Sequence, residues 1–471
     1  MKEDWDGDVV RRLPPDEADR SELGRLEGWI RRHEFAYNDR PVPRTPMVAR
    51  LAAALALLIV IGAFGVFNLE RLGSRQPGPA ASSSPSLRTP RVSPKPTVFP
   101  TEAVATPGLA NPPPQGRWQL LPSMAVPRIG FTATLMQDGR VLIVGGRTRT
   151  FAVSPDGSPT SIVEIFDPVS STFSRAAGLR TPRAGHTATL LASGKVLVAG
   201  GDPAGTAEIY DPSTNSWTLA GPMHGRRYDH AAALLLDGKV LVTGGGASPP
   251  IGISSRGART ASTPAEIYDP ATDTWYLAAT PALDRPEYPT ATTLLDGRVL
   301  VVGGQYMYSS ADESTETSEI YDPASNRWSF TAPETSTGAR QYHTATLLQD
   351  GRVLVAGGFR DGVSVSWSAL YDPVSDSWTR LPTMNVGRCG HAAQMLRDGR
   401  VLVAGSGCWS DTGASAEEFD PVSSRWYLVA TLAYPQGKLV AVALLDGRVL
   451  AVGGGMEANN PSAVAEVFQP A

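Results

Sequence analysis

Six short stretches of the 471-residue chain place an arginine just ahead of an apolar, strand-like segment, five of them with an imidazole or phenol close behind. Arg128 stands without such a companion. Arg183 precedes His186, Arg227 precedes Tyr228 and His230, Arg285 precedes Tyr288, Arg340 precedes Tyr342 and His343, and Arg388 precedes His391. A neutral imidazole ligates metals and moves protons near pH 7, a phenol gives and takes hydrogen bonds, and a guanidinium grips carboxylates. Gathered around one axis, such groups suit a ligand site. Their recurrence also suits architecture, because Glu164, Glu208, Glu266, Glu319 and Glu466 recur downstream at a matching place. An Arg–Glu pair within each unit would satisfy two charges that are costly to bury singly. Ala369 stands where the fifth unit should carry its glutamate, which on that pattern frees Arg340 for another task. Both readings of the Arg and His set remain open at this level.

The elements that must position these residues are repeats. FTATLMQDGRVLIVGG ends at Gly146, and related segments end at Gly201, Gly245, Gly304, Gly358, Gly407 and Gly454, spaced 44 to 59 residues apart. Each is followed by a third segment of the type AEIYDP, and six times by an aromatic about five residues on: Phe173, Trp217, Trp275, Trp328, Trp378 and Trp426. Asp-Gly predicts a two-residue hairpin turn between the first two strands. The nearly all-apolar VLVAGG predicts a strand buried on both faces. In YDP, aspartate and proline together mark the turn into a fourth strand. Four short strands at this period predict one propeller blade per repeat, hence an all-β, seven-bladed propeller over residues 117–471. The seventh unit lacks its last aromatic, and Trp118 ahead of the first unit supplies it, so WQLLP is expected to close the ring as the outer strand of the last blade.

The order Gly-Gly, Tyr, Trp, with Arg-x-x-His ahead of the first strand, resembles the kelch repeat family, and DGRVLVAGG resembles the propeller of galactose-oxidase-like proteins. That resemblance implies the fold firmly and the function loosely, since such propellers serve as binding scaffolds, sugar-acid isomerases and copper oxidases. Tyr342-His343 is similar to the tyrosine–histidine copper pair of the oxidases. Their remaining ligands, a second tyrosine bonded to a cysteine and a histidine from a later domain, find no matching order here, with Cys389 lying one blade beyond Tyr342. No cofactor is therefore expected, copper included.

Ahead of the repeats the chain changes character. Residues 1–46 are densely charged and read as a cytoplasmic tail, with one candidate helix over Ser21–Phe35. Within 47–69, Leu51–Phe67 is an uncharged apolar run of 17 residues, extendable to 48–69. It is long enough to cross a hydrocarbon layer of roughly 30 Å, and it starts too far from the N-terminus for a cleaved signal peptide. Arginines are slightly denser before it than after it, which favours a cytoplasmic N-terminus and an extracytoplasmic propeller. Residues 70–116 form a Pro/Ser/Thr-rich linker, with 11 of the chain's 40 prolines between Ser74 and Gly116, as in an extended disordered stalk. The balance of 42 basic and 46 acidic residues gives no case for nucleic acid as a partner.

Two cysteines exclude a disulfide-rich scaffold. Cys389 and Cys408 flank one hairpin, and a two-residue turn at Asp398-Gly399 would set them opposite each other as a disulfide, whereas a bulge would shift the pairing. The loops after the second strands vary most, and Tyr306 and Trp409 on them add aromatics near the rim. The expected role is a membrane-anchored binding module for a glycan or a protein. A channel-mouth enzyme, either copper oxidase or sialic-acid-isomerase-like, and a sensor signalling to residues 1–46 are the alternatives.

Overall fold

The computed structural model describes residues 116–148, 157–246, 264–283, 288–304, 318–333, 340–360, 362–406, 413–455 and 461–471. The predicted tail, membrane span and nearly all of the linker lie outside them, as do Arg285, Tyr306, Cys408 and Trp409.

Seven four-stranded antiparallel sheets are present, one for each repeat. Blade one consists of Thr132–Leu135, Val141–Val144, Val163–Asp167 and Thr172–Arg175. The next five repeat that order, each first strand touching the first strand of the following blade, and the seventh returns to the first. Burial follows the position of each strand in its blade. First strands are mostly half-buried around the channel, second strands such as Val141–Val144 are fully buried, and fourth strands are exposed except for their aromatic. That gradient is why the second segment reads as continuous Val and Leu while the first alternates.

The predicted closing strand is present. Arg117–Leu120 pairs antiparallel with Ala465–Gln469, Trp118 facing Phe468. In every blade the aromatic of the third strand packs on that of the fourth, as with Tyr210 and Trp217 at 5.0 Å and Trp118 and Phe468 at 5.1 Å. These pairs add to area burial by tilted ring contact. Each core cluster draws on two blades; Val141, Ile143 and Phe166 of blade one, for instance, interleave with Leu450, Val452 and Val467 of blade seven. The Asp-Pro turns form as expected, with the Asp167 carboxylate accepting the Val169 N–H at 2.8 Å.

One expectation fails. The Asp-Gly hairpins are not two-residue turns: Gly139 N–H donates to Met136 carbonyl and Met136 N–H to Arg140 carbonyl, with Gly139 at φ +85°. Aspartate closes a type I turn and glycine takes the left-handed bulge after it, a sequence signature shared with the tighter turn. The register moves by one residue. In blade six Ala392 faces Ala404, one residue off the pairing that a two-residue turn would give; Cys408 lies outside the described residues.

Candidate functional site

The recurrent arginines are architectural in position. Arg128, Arg183, Arg227 and Arg388 are buried and ion-paired to Glu164, Glu208, Glu266 and Glu417 on the third strand of their own blade. Each also donates to the carbonyl of the first glycine after the second strand, as Arg183 does to Gly200 at 2.6 Å. The glutamates do a second job by accepting backbone N–H groups from the segment that leads into the blade; Glu208 takes those of Arg180 and Thr181. Glu417 was hidden in sequence by its neighbour Glu418. In blade seven Gln436 replaces the arginine and donates to Glu466. Arg340 is buried and donates to the Gly357 carbonyl at 3.3 Å.

The histidines tie blades together. Nε2 of His186, His230, His343 and His391 lies within 3.0 Å of a threonine hydroxyl on the first strand of the preceding blade: Thr132, Thr187, Thr290 and Thr344. Gly200 must lack a side chain because a Cβ there would lie 2.8 Å from the His230 ring. Burial, and then the charge of Arg227 and Arg388, pull His230 and His391 down to about 3, and burial with Arg183 holds His186 well below the usual range. These imidazoles are neutral at physiological pH. Tyr228 is buried and pairs through its backbone with Gly246.

The residue eight positions before each hairpin Asp-Gly, or Ser-Gly in blade two, behaves differently. Gly130, Gly185, Asp229, Tyr288, Tyr342, Gly390 and Lys438 all take φ between 51° and 66°. Successive N–H groups donate to the carbonyl of the previous blade, Gly185 to Gly130 at 2.9 Å, Asp229 to Gly185 at 2.8 Å and Lys438 to Gly390 at 2.8 Å. They form a ring around the propeller axis. Glycine adopts this conformation freely, whereas a tyrosine or lysine is strained there by about 1 kcal/mol or more. Three blades use glycine, one uses aspartate, which tolerates the region, and three carry a tyrosine or lysine at that cost.

Those four side chains meet. Tyr288 and Tyr342 stack with centroids 4.0 Å apart and share a hydrogen bond, Tyr288 also bonds Asp229, and Lys438 Nζ lies 4.7 Å from the Tyr342 ring. Burial pushes Asp229 up to about 6 against the pull of Lys438, the Tyr288 hydrogen bond and Arg147. Burial, then the Asp229 charge, raises the Tyr288 phenol well above its ordinary value. A cavity of about 290 Å³ opens here, lined by Gly130, Phe131, Gly185, Asp229, Tyr288, Tyr342, Gly390 and the four histidines among others. Of the candidates read from sequence, Tyr288 and Tyr342 stand at the heart of this site, and His186, His230, His343 and His391 on its wall. Asp229 and Lys438 were missed, although aligning the repeats on Asp-Gly marks their position.

The donor set fits copper poorly. The Nε2 of His343 is engaged by Thr290, the Tyr288 phenol resists ionisation, and a cupric ion near Tyr342 would face the Lys438 ammonium. Among the described residues no group of three or more His, Cys, Asp or Glu is placed to hold a metal.

Fold, repeat and axial site together define a kelch-type propeller. The chain belongs to the Kelch-repeat family: the KLHDC2/KLHL20/DRC7 Kelch-repeats domain matches residues 130–358 and 185–407. It is similar to the Kelch-like protein terF of Aspergillus terreus, 29% identical over 123 residues, which are 24% of this chain and 26% of that protein. It also resembles the spermatocyte protein spe-26 of Caenorhabditis elegans, 25% identical over 28% of this chain and 24% of the other. A galactose oxidase of Gibberella zeae is 33% identical over 18% of this chain and 12% of its own length. The matches thus span about a quarter or less of these relatives. Among solved structures, a fungal alcohol oxidase of the AA5 family in complex with copper superposes with a TM-score of 0.61 over 76% of this chain and 77% of that one; at 17% identity this likeness concerns the fold.

Proposed function

We propose that the protein is a membrane-anchored binding module whose propeller lies outside the cytoplasm and takes a glycan or protein ligand at the axial mouth. One observation carries this reading: four non-glycine residues, three of them strained there, converge on the axis where glycine would serve the fold better. The topology supports it. Arg117 pairs with Gln469, at the end of the third strand away from the ring, so the chain enters the propeller on the face opposite Asp229, Tyr288, Tyr342 and Lys438. The entering chain therefore leaves the mouth clear.

The test is a glycan and protein array probed with the detergent-solubilised chain and with Tyr288→Leu. A ligand retained by the parent and lost by the variant, at an unchanged melting temperature, is the expected result; a ligand retained equally by both counts against the axial mouth.

A Cys389–Cys408 disulfide belongs to the same proposal. Cys389 is buried beside Phe359, and no free cysteine occurs among the described residues. Thiol titration of the denatured chain is expected to find two thiols only after reduction. Two thiols without reductant would remove this argument for an oxidising compartment.

A further inference from the structure

Around the axial ring the side chains are unevenly placed. Lys438 of blade seven and Asp229 of blade three are separated by two glycines, Gly130 and Gly185, while Tyr288 and Tyr342 fill the other side. A Cβ on Gly130 would meet nothing closer than 3.7 Å, so the arc is open at Gly130, which is exposed, while the Asp229 carboxylate lies over Gly185, 2.5 Å from where a Cβ would stand. Arg147, on the short ribbon after the second strand of blade one, pairs through its backbone with Ile129, its N–H donating to the Ile129 carbonyl at 2.7 Å, which sets it beside Gly130. Neither Arg147 nor Lys438 has an ion-pair partner among the described residues, whereas the arginines two positions ahead of the ring in blades one, two, three and six are paired. Both are half-buried, so part of their hydration is already lost.

Lys438, over the Tyr342 ring, and Arg147, beside Ile129, flank the cavity without lining it, so two cations stand against one carboxylate and the mouth is short of negative charge. The carboxylate at the far end of the arc, together with the Tyr288 hydroxyl, offers hydrogen bonds to neutral polar groups. The Tyr342 face is occupied by Tyr288 and approached by Lys438, which leaves little flat aromatic surface for stacking a neutral ring. Charge and hydrogen bonding, rather than stacking, must select the ligand.

We infer that the Gly130–Gly185 arc binds a small hydroxylated carboxylate, of the uronic or hydroxy-acid class, with its carboxylate toward Lys438 and Arg147 and its hydroxyls toward Asp229. This rests on the reading of the axial mouth as a binding site and names the chemistry it selects. A charge-assisted hydrogen bond to a carboxylate is about twice as strong as a neutral one, which sets the selectivity. The cavity, about 290 Å³, suits a single such unit, free or at the end of a chain.

Isothermal titration of the full-length chain in detergent with galacturonate and with galactose tests this, the two differing in the carboxylate at one ring carbon. Galacturonate is expected to bind at least tenfold more tightly. Lys438→Met should remove most of that preference without lowering the melting temperature, since a half-buried, unpaired lysine in a strained conformation contributes little to the fold. Gly130→Asn, a residue that tolerates the left-handed region, should weaken galacturonate by filling the arc while the ring stays intact. Equal binding of the two sugars, binding of neither, or a preference that survives both substitutions overturns the inference. An uncharged array ligand that is nonetheless lost in Tyr288→Leu would overturn it while leaving the axial mouth as the binding site.

Discussion

Removal of residues 116–121 is expected to turn a cooperatively melting protein into one that aggregates. The closing strand supplies the whole outer edge of blade seven, four residue pairs from Arg117 with Gln469 to Leu120 with Glu466. Beyond the ladder, Leu121 is buried and its N–H donates to the Ala465 carbonyl at 2.9 Å. Without it, Ala465–Gln469 becomes an unpaired edge beside an uncovered Phe468, the kind of template that recruits other chains. The strand also joins the two ends of the domain. Losing it leaves blades one and seven held by their interleaved side chains and by a few bonds such as Arg128 N–H to the Ser462 carbonyl at 3.1 Å, so the ring is weakened at one seam. Trp118→Ala is the milder version and, because Trp118 is half-buried, should cost less than the roughly 3–5 kcal/mol of a large aromatic truncated in a full core. Thermal melting with size-exclusion chromatography reads both. A deletion variant that stays monomeric with an unchanged melt would show that the first and last blades hold without the closing strand.

That strand was legible because its aromatic was missing from the end of a counted series and present at the start. The same counting yielded seven blades, since Gly, Asp-Pro and Trp mark turns and ladder positions by residue type. The axial site was only half legible for the converse reason. Its defining property is a backbone conformation, shared by Gly130, Asp229, Tyr342 and Lys438, which have no side-chain chemistry in common. A pattern of types cannot show that. The arginines misled in the opposite sense: their type suggested a ligand site and their regularity suggested architecture, and burial against glutamates two strands away decides between the readings. The hairpin register was lost because Asp-Gly serves both a two-residue turn and a bulged one.

The buried ion pairs carry the second large expectation. Arg388→Met should destabilise the propeller by about 3–5 kcal/mol, because it strands a charge rather than deleting a contact. Both side chains of the Arg388–Glu417 pair are fully buried, and Arg388 also satisfies the carbonyls of Gly405 and Ser415. Glu417 in turn accepts the N–H groups of Asn385 and Val386, so it holds the segment that leads into the axial ring. Glu417→Leu leaves the guanidinium unpaired and frees that segment, and should cost a similar amount. The double variant should lose clearly less than the two single losses added together, by 1 kcal/mol or more, since the second substitution removes the charge the first one stranded. Strict additivity in denaturant melts would mean the pair is not a unit. Arg388 lies two residues before Gly390, whose carbonyl accepts the Lys438 N–H at 2.8 Å. Loosening it should therefore displace Lys438 as well, and ligand affinity at the axial mouth should fall in Arg388→Met at temperatures where the blades are still folded.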